Sequence, residues 1–218
     1  MFTPGEVRES LRLYAVTDSA WLRGRSLADC VADAIRGGVT CVQLREKDIP
    51  PAGLKTLATE LRALCAQARV PFIVNDYVDL AREVDADGVH VGQDDTACAR
   101  ARALLGPGKI VGVSVQTCEE AAAAELAGAD YLGAGAVFST ATKPESPDMG
   151  VDGLRAVCAA ASVPVVAIGG LNEATIPQLA GCGLDGVAVV SAVFAQDDIV
   201  EAARNLARCV RQLEGRAG

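Results

Sequence analysis

The chain has 218 residues, half of them apolar and 22% charged, a composition that supports a hydrophobic core and excludes a mostly disordered protein. Lys plus Arg is 20 and Asp plus Glu is 28, so the formal net charge is −8. An acidic chain lacks the basic footprint of nucleic-acid binding and is repelled by anionic lipid, so neither nucleic acid nor a membrane surface is an expected partner. No apolar run approaches the ~20 residues of a membrane span. The opening MFTPGEVRES has no basic-then-apolar leader, and a cytoplasmic location is the expectation.

The predicted strands, in chain order, are LYAVTD (13–18), TCVQLRE (40–46), PFIVND (71–76), GVHVG (88–92), IVGVSV (110–115), YLGAGAVF (131–138), PVVAIGG (164–170) and GVAVVS (186–191). Continuous apolar runs of this kind suit a parallel sheet buried on both faces. Helical patterns lie between them, among them 26–38, 54–68 and 118–130, with a last helix over 197–213. Gly37, Gly128 and Gly181 stand where a left-handed residue can close a helix. Eight strand–helix units in this length predict an α/β fold, a single (β/α)8 TIM barrel near its minimal size. An open doubly wound sheet with fewer strands is the alternative. No linker or composition shift interrupts the chain, so one domain is expected over 1–218, with its core at about 11–213.

Polar residues cluster after the apolar runs: Thr17 and Asp18, Gln43 to Asp48, Asn75 and Asp76, Gln93 to Asp95, Ser114 and Gln116, Thr140 to Lys143, Gly169 and Gly170, and Ser191. In a barrel all eight strand ends open on one face, which makes these groups converge on one site. Gly169-Gly170, followed by Asn172 and a helix, allows close backbone approach to a phosphate, with Ser191 one unit later. Arg45 and Lys47 lean to one side of a strand end, and with Asn75 and Lys143 they could clamp a polyanion; the plainer alternative is a solvated edge paired with Glu46 and Asp48. Asp76 and Asp95 suit Mg²⁺, which takes one or two carboxylates plus phosphate oxygens, unless they only cap helices.

His90, the only histidine, reads as structural, and no Ser/His/Asp triad is assembled. Cys30, Cys41, Cys65, Cys98, Cys118, Cys158, Cys182 and Cys209 contain no CxxC and read as reduced, mostly buried small hydrophobes rather than a zinc site.

QLREK (43–47), VND (74–76), GVHVGQDD (88–95), GVSVQT (112–117), STATK (139–143), AIGG (167–170) and VVSA (189–192), together with LYAVTD, resemble the thiamine phosphate synthase family over roughly 11–200. The resemblance implies a transferase that joins a hydroxymethylpyrimidine pyrophosphate to a thiazole phosphate, giving thiamine phosphate and pyrophosphate. It implies that Gln43, Leu44, Arg45, Glu46, Lys47, Asn75, Ser114 and Lys143 hold the pyrimidine pyrophosphate, with Arg45, Lys47, Ser114 and Lys143 in catalytic roles. Asp76 and Asp95 would hold one Mg²⁺ per site. Thr140, Ala141, Thr142, Gly170, Val190 and Ser191 would hold the thiazole phosphate. Ala136 and Glu145-Ser146 depart from the family's frequent residues near the 139–147 loop, without removing a ligand. A thiazole tautomerase on the same fold, a non-catalytic phosphate-ligand sensor and an unrelated phosphosugar barrel enzyme are the rival readings. Small-molecule substrates are the expected partners, and a homo-oligomer is compatible with the sequence.

Overall fold

The computed structural model describes residues 2–92, 95–139 and 148–214. Eight strands, β1 (Leu13–Val16), β2 (Cys41–Leu44), β3 (Phe72–Asn75), β4 (Gly88–Val91), β5 (Ile110–Val115), β6 (Tyr131–Ala134), β7 (Val165–Ile168) and β8 (Gly186–Val189), pair in that order as a closed parallel barrel. Tyr14 pairs with Cys41 of β2 on one side and with Ala188 of β8 on the other, which closes the ring. The expected (β/α)8 architecture holds, and the open-sheet alternative does not. Every strand but β5, which fills its run, is shorter than its apolar run, because the last residues of those runs form the loops that rise from the C-terminal rim.

Around the barrel lie α2 (Leu27–Gly37), α3 (Pro51–Ala68), α4 (Val78–Glu83), α5 (Asp95–Leu105), α6 (Cys118–Leu126), α7 (Gly150–Ala160), the short α8 (Ser191–Phe194) and α9 (Ile199–Glu214), preceded by α1 (Pro4–Ser10). Helix α2 ends against Gly38, whose φ of 113° puts it in the left-handed region that glycine enters without a Cβ clash. After β7 the expected helix is instead a 3-10 turn, Ile176–Leu179, with Pro177 in its first turn. The segment between Gly170 and Gly181 is short and begins with an Asn172 turn, so one tight turn is all that fits.

The short helix α1 was not anticipated. Thr3 and Glu6 form a reciprocal capping box and Pro4 starts the helix, yet only Val7 of its residues is buried, too little to read as periodicity. Val7 and Leu11 pack against Ile73, Ile110 and Val166, closing the N-terminal end of the barrel.

Alternation along the strands divides the core in two. Leu13, Val42, Val74, Val89, Val111, Leu132, Ala167 and Val187 face the helices, while Tyr14, Cys41, Ile73, Ile110, Tyr131, Val166 and Ala188 fill the barrel. The N-terminal rim is tied by a repeated device. The residue before each even-numbered strand accepts a side-chain hydrogen bond from the first amides of the strand before it: Thr40 from Leu13, Asp87 from Phe72, Asp130 from Val111 and Asp185 from Val165, all at 2.8–2.9 Å. These otherwise orphaned amides are thereby paired at the edge of the core. With the lower end sealed, the opposite rim is where a ligand can enter.

Candidate active site

A cavity of about 800 Å³ opens at the C-terminal end of the barrel. Gln43, Arg45, Asn75 and Ser114 line it on one side, and Gly170, Val190 and Ser191 on the other. The sequence thus placed seven of its expected site residues around one space. The side chains of Leu44 and Glu46 turn elsewhere: Leu44 packs into the helix-facing core, and the buried Glu46 accepts from the Ser19 amide at 3.0 Å through Oε2. Glu46 therefore braces the loop after β1. Lys47 is exposed and outside the cavity lining. Thr140, Ala141, Thr142, Lys143 and the side chain of Asp95 lie outside the described residues.

Arg45 is aimed by its backbone. The hydroxyl of Thr17, itself fully buried, accepts from the Arg45 amide at 3.0 Å. Among the described residues neither Arg45 nor Lys47 forms an ion pair with Glu46 or Asp48, whereas Arg62, Arg102 and Lys109 are all paired with carboxylates. The pairing with Glu46 and Asp48 that a solvated edge would use is thus not made by Arg45 or Lys47. An Arg at the mouth of an enclosed space without a protein partner is a ready donor set for a phosphate.

Asp76 follows β3 directly, with φ at 62°, a left-handed conformation that Asp tolerates better than most residues but that still costs free energy. Its amide donates to the carbonyl of His90 at 2.8 Å, locking the turn beside β4. The residue flanking α4 is Tyr77, and no side chain caps that helix, so Asp76 does not serve as its cap. Among the described residues its exposed carboxylate makes no hydrogen bond or ion pair. Asp95 opens α5 directly after the loop from β4, the neighbouring strand.

The facing wall is built of backbone. Gly169 and Gly170 have φ of 100° and 65°, and a Cβ on Gly170 would come within 2.7 Å of the Phe138 side chain, so only glycine lets the chain pass there. The Gly170 carbonyl is held by the Thr175 hydroxyl at 3.0 Å. Ser191 starts α8, whose first amides have no partner within the helix. Two stretches of donor-bearing backbone thus border the same side of the cavity.

Among the lining residues that were not expected ligands are three aromatic ones, Tyr14, Trp21 and Tyr131. His90, expected to be structural, also lines the cavity and bonds the Ser114 hydroxyl at 2.9 Å. Tyr14, His90 and Tyr131 share the inward parity of their strands, which alternation in the sequence does not by itself assign.

The chain from residue 13 to 193 matches the family model described as thiamine monophosphate synthase. The chain belongs to the thiamine monophosphate synthase family. It is a transferase, a thiamine-phosphate synthase by activity. Similar members include the thiamine-phosphate synthase of Chloroflexus aurantiacus, 50% identical over 94% of this chain and 95% of that protein. That of Clostridium novyi is 43% identical over 90% of this chain and 97% of its own length. A solved structure described as thiamine phosphate pyrophosphorylase from Pyrococcus furiosus superposes with a TM-score of 0.87 at 38% identity, covering 95% of this chain and 98% of that one. The site described above therefore sits in a family member whose barrel is matched along nearly its whole length.

Proposed function

We propose that the cavity holds a hydroxymethylpyrimidine pyrophosphate against Gln43, Arg45, Asn75 and Ser114, and a thiazole phosphate against Gly170, Val190 and Ser191. Leu44, Glu46 and Lys47 belong to the same stretch, Leu44 and Glu46 acting by placing its backbone and Lys47 by reaching over the rim. Thr140, Ala141 and Thr142 extend the thiazole phosphate site, and Lys143 meets the leaving group. The observation that carries the reading is one cavity bordered on one wall by Arg45, unpaired among the described residues, and on the other by glycine and helix-start backbone. Two anionic substrates need two such walls.

In the reaction the bond between the pyrimidine methylene carbon and the pyrophosphate oxygen breaks, and its electron pair leaves with pyrophosphate. The lone pair of the thiazole nitrogen forms the new carbon–nitrogen bond. No strong base is required. What the protein must provide is stabilisation of charge on the departing oxygen, alignment of the two rings and exclusion of water from a cationic carbon. Arg45, Lys47 and Lys143 supply charge, and the enclosed barrel floor supplies dryness.

Asp76 and Asp95 are the residues that would hold Mg²⁺. The free carboxylate of Asp76, pinned by a left-handed turn at the edge of the site, suits a hard cation that prefers oxygen ligands and retains phosphate oxygens and water. When bound, Mg²⁺ supplies neutralisation of the leaving pyrophosphate. We further propose that the whole chain is one domain that acts in the cytoplasm, whether alone or as a homo-oligomer. Among the described residues no helix is long and apolar enough to cross a membrane.

The deciding experiment is formation of thiamine phosphate from the two substrates with and without Mg²⁺. Metal-dependent product is expected. Binding of the thiazole phosphate with no product under either condition would overturn the pyrophosphate half of the reading.

A further inference from the structure

Five polar side chains, each from a different strand, form one unbroken hydrogen-bonded chain across the floor of the cavity. Gln43 Nε2 of β2 donates to the hydroxyl of Tyr14 in β1 at 2.7 Å. The Tyr14 and Tyr131 hydroxyls lie 2.8 Å apart, the latter from β6. Tyr131 meets His90 Nδ1 of β4 at 2.9 Å, and His90 Nε2 meets the Ser114 hydroxyl of β5 at 2.9 Å. The chain is built into the barrel rather than adventitious. A Cβ on Gly112 would fall 2.1 Å from the Tyr131 ring, and one on Gly133 would fall 3.0 Å from the His90 ring. Both glycines clear space for the two rings.

Each link has only so many protons, and giving every one of them an oxygen or nitrogen acceptor sets one direction along the chain. The Gln43 amide nitrogen can only donate, so Tyr14 accepts there, and its single proton can go to the Tyr131 oxygen or to the Cys41 sulfur, of which the oxygen is the far better acceptor. Tyr131 accepts from Tyr14, so its own proton goes to His90 Nδ1. An imidazole that accepts at Nδ1 carries its proton on Nε2, which then donates to Ser114 Oγ. The proton of Ser114 is left over, and it points away from His90. In the reverse polarity Tyr14 would accept from both Gln43 and Tyr131, and its own proton would be left to the weakly accepting sulfur of Cys41 in a buried site.

We propose that this relay holds His90 as the Nε2–H tautomer and so makes Ser114 a hydrogen-bond donor into the cavity, where it reads an acceptor atom of the pyrimidine pyrophosphate. Tyr14, Tyr131 and His90 are then positioning residues, acting on the substrate through Ser114. Burial pushes the phenols of Tyr14 and Tyr131 well above the ordinary tyrosine range, which keeps both protons in the chain. The role of Ser114 as a substrate contact rests on the reading under Proposed function; the direction of the relay does not.

The test exploits His90 being the only histidine in the chain. In protein labelled with ¹⁵N-histidine, long-range proton–nitrogen correlation reports one imidazole, in the free protein near neutral pH. A protonated Nε2 with a bare Nδ1 is expected; an Nδ1–H tautomer or an imidazolium would overturn the relay whatever the activity proves to be. A kinetic cycle then tests the route through Ser114. Tyr131→Phe should raise KM for the pyrimidine pyrophosphate about three- to tenfold, the loss of one oriented hydrogen bond, with KM for the thiazole phosphate unchanged. In a Ser114→Ala background the same substitution should change nothing further. An equal fold-change in both backgrounds would mean that Tyr131 acts on the fold and not through Ser114.

Discussion

The fully buried hydroxyl of Thr17 accepts a hydrogen bond from the amide of Arg45 at 3.0 Å, joining residues 28 apart in sequence at the rim of β1 and β2. The Thr17 amide in turn donates to the Gln43 carbonyl at 2.9 Å. Together they set the point from which the Arg45 side chain leaves the barrel. Thr17→Val keeps the shape and removes the acceptor, leaving the Arg45 amide unpaired. A loss of about 1–3 kcal/mol in urea unfolding and a lower kcat/KM for the pyrimidine substrate are expected. Thr17→Ser should restore most of both.

Asp76→Asn retains a residue that tolerates the left-handed turn, so stability should shift by less than about 0.5 kcal/mol. The carboxylate is lost, and the Mg²⁺ dependence of activity should weaken. A metal titration superimposable on that of the wild type would remove Asp76 from the metal site.

Lys143→Ala should lower turnover by ~10² or more, through lost stabilisation of the departing pyrophosphate. Single-turnover kinetics with both substrates saturating separates this from weaker binding. Near-normal turnover would take Lys143 out of the mechanism.

Gly112→Ala places a methyl group where the Tyr131 ring lies, since a Cβ there would sit 2.1 Å from ring carbon Cζ. Overpacking of this kind should cost about 1–3 kcal/mol or more, measured as a lower urea midpoint. An unchanged midpoint would show that the ring can swing aside.

Burial raises the Cys65 thiol to about 12, because the thiolate is disfavoured in the apolar layer beneath α3. Protonated thiols react poorly, so at about pH 8 Cys65 should resist iodoacetamide in the folded protein and label only on unfolding. Peptide mapping should find the half-buried Cys118 among the first to react. Rapid labelling of Cys65 without loss of fold would contradict its burial.

Much of this was legible because barrel strands are buried on both faces, so each reads as a short apolar run, and because the loops that build a site follow those runs. The placing of Arg45, Asn75, Ser114, Gly170 and Ser191 around one cavity follows from that rule alone. Helix α1 escaped it, since a seven-residue helix with one buried side chain carries no period. The turn after β7 escaped for a related reason: Pro177 and the short span allow a 3-10 turn that composition does not distinguish from a helix.

By itself the sequence determined the number of strands, their order and which ends bear polar groups, all of which are local properties of the chain. It could not decide parity, because alternation says that Gln43 and Leu44 face opposite ways but not which faces inward. Register decides that, with Val16 set beside Gln43 and Asn75 beside His90. Nor could it join Tyr14 to Tyr131, 117 residues apart, whose hydroxyls meet only because the barrel closes and Gly112 leaves room for the ring. Such contacts are products of closure. The direction of the proton chain running through them, from Gln43 to Ser114, exists only in the folded barrel.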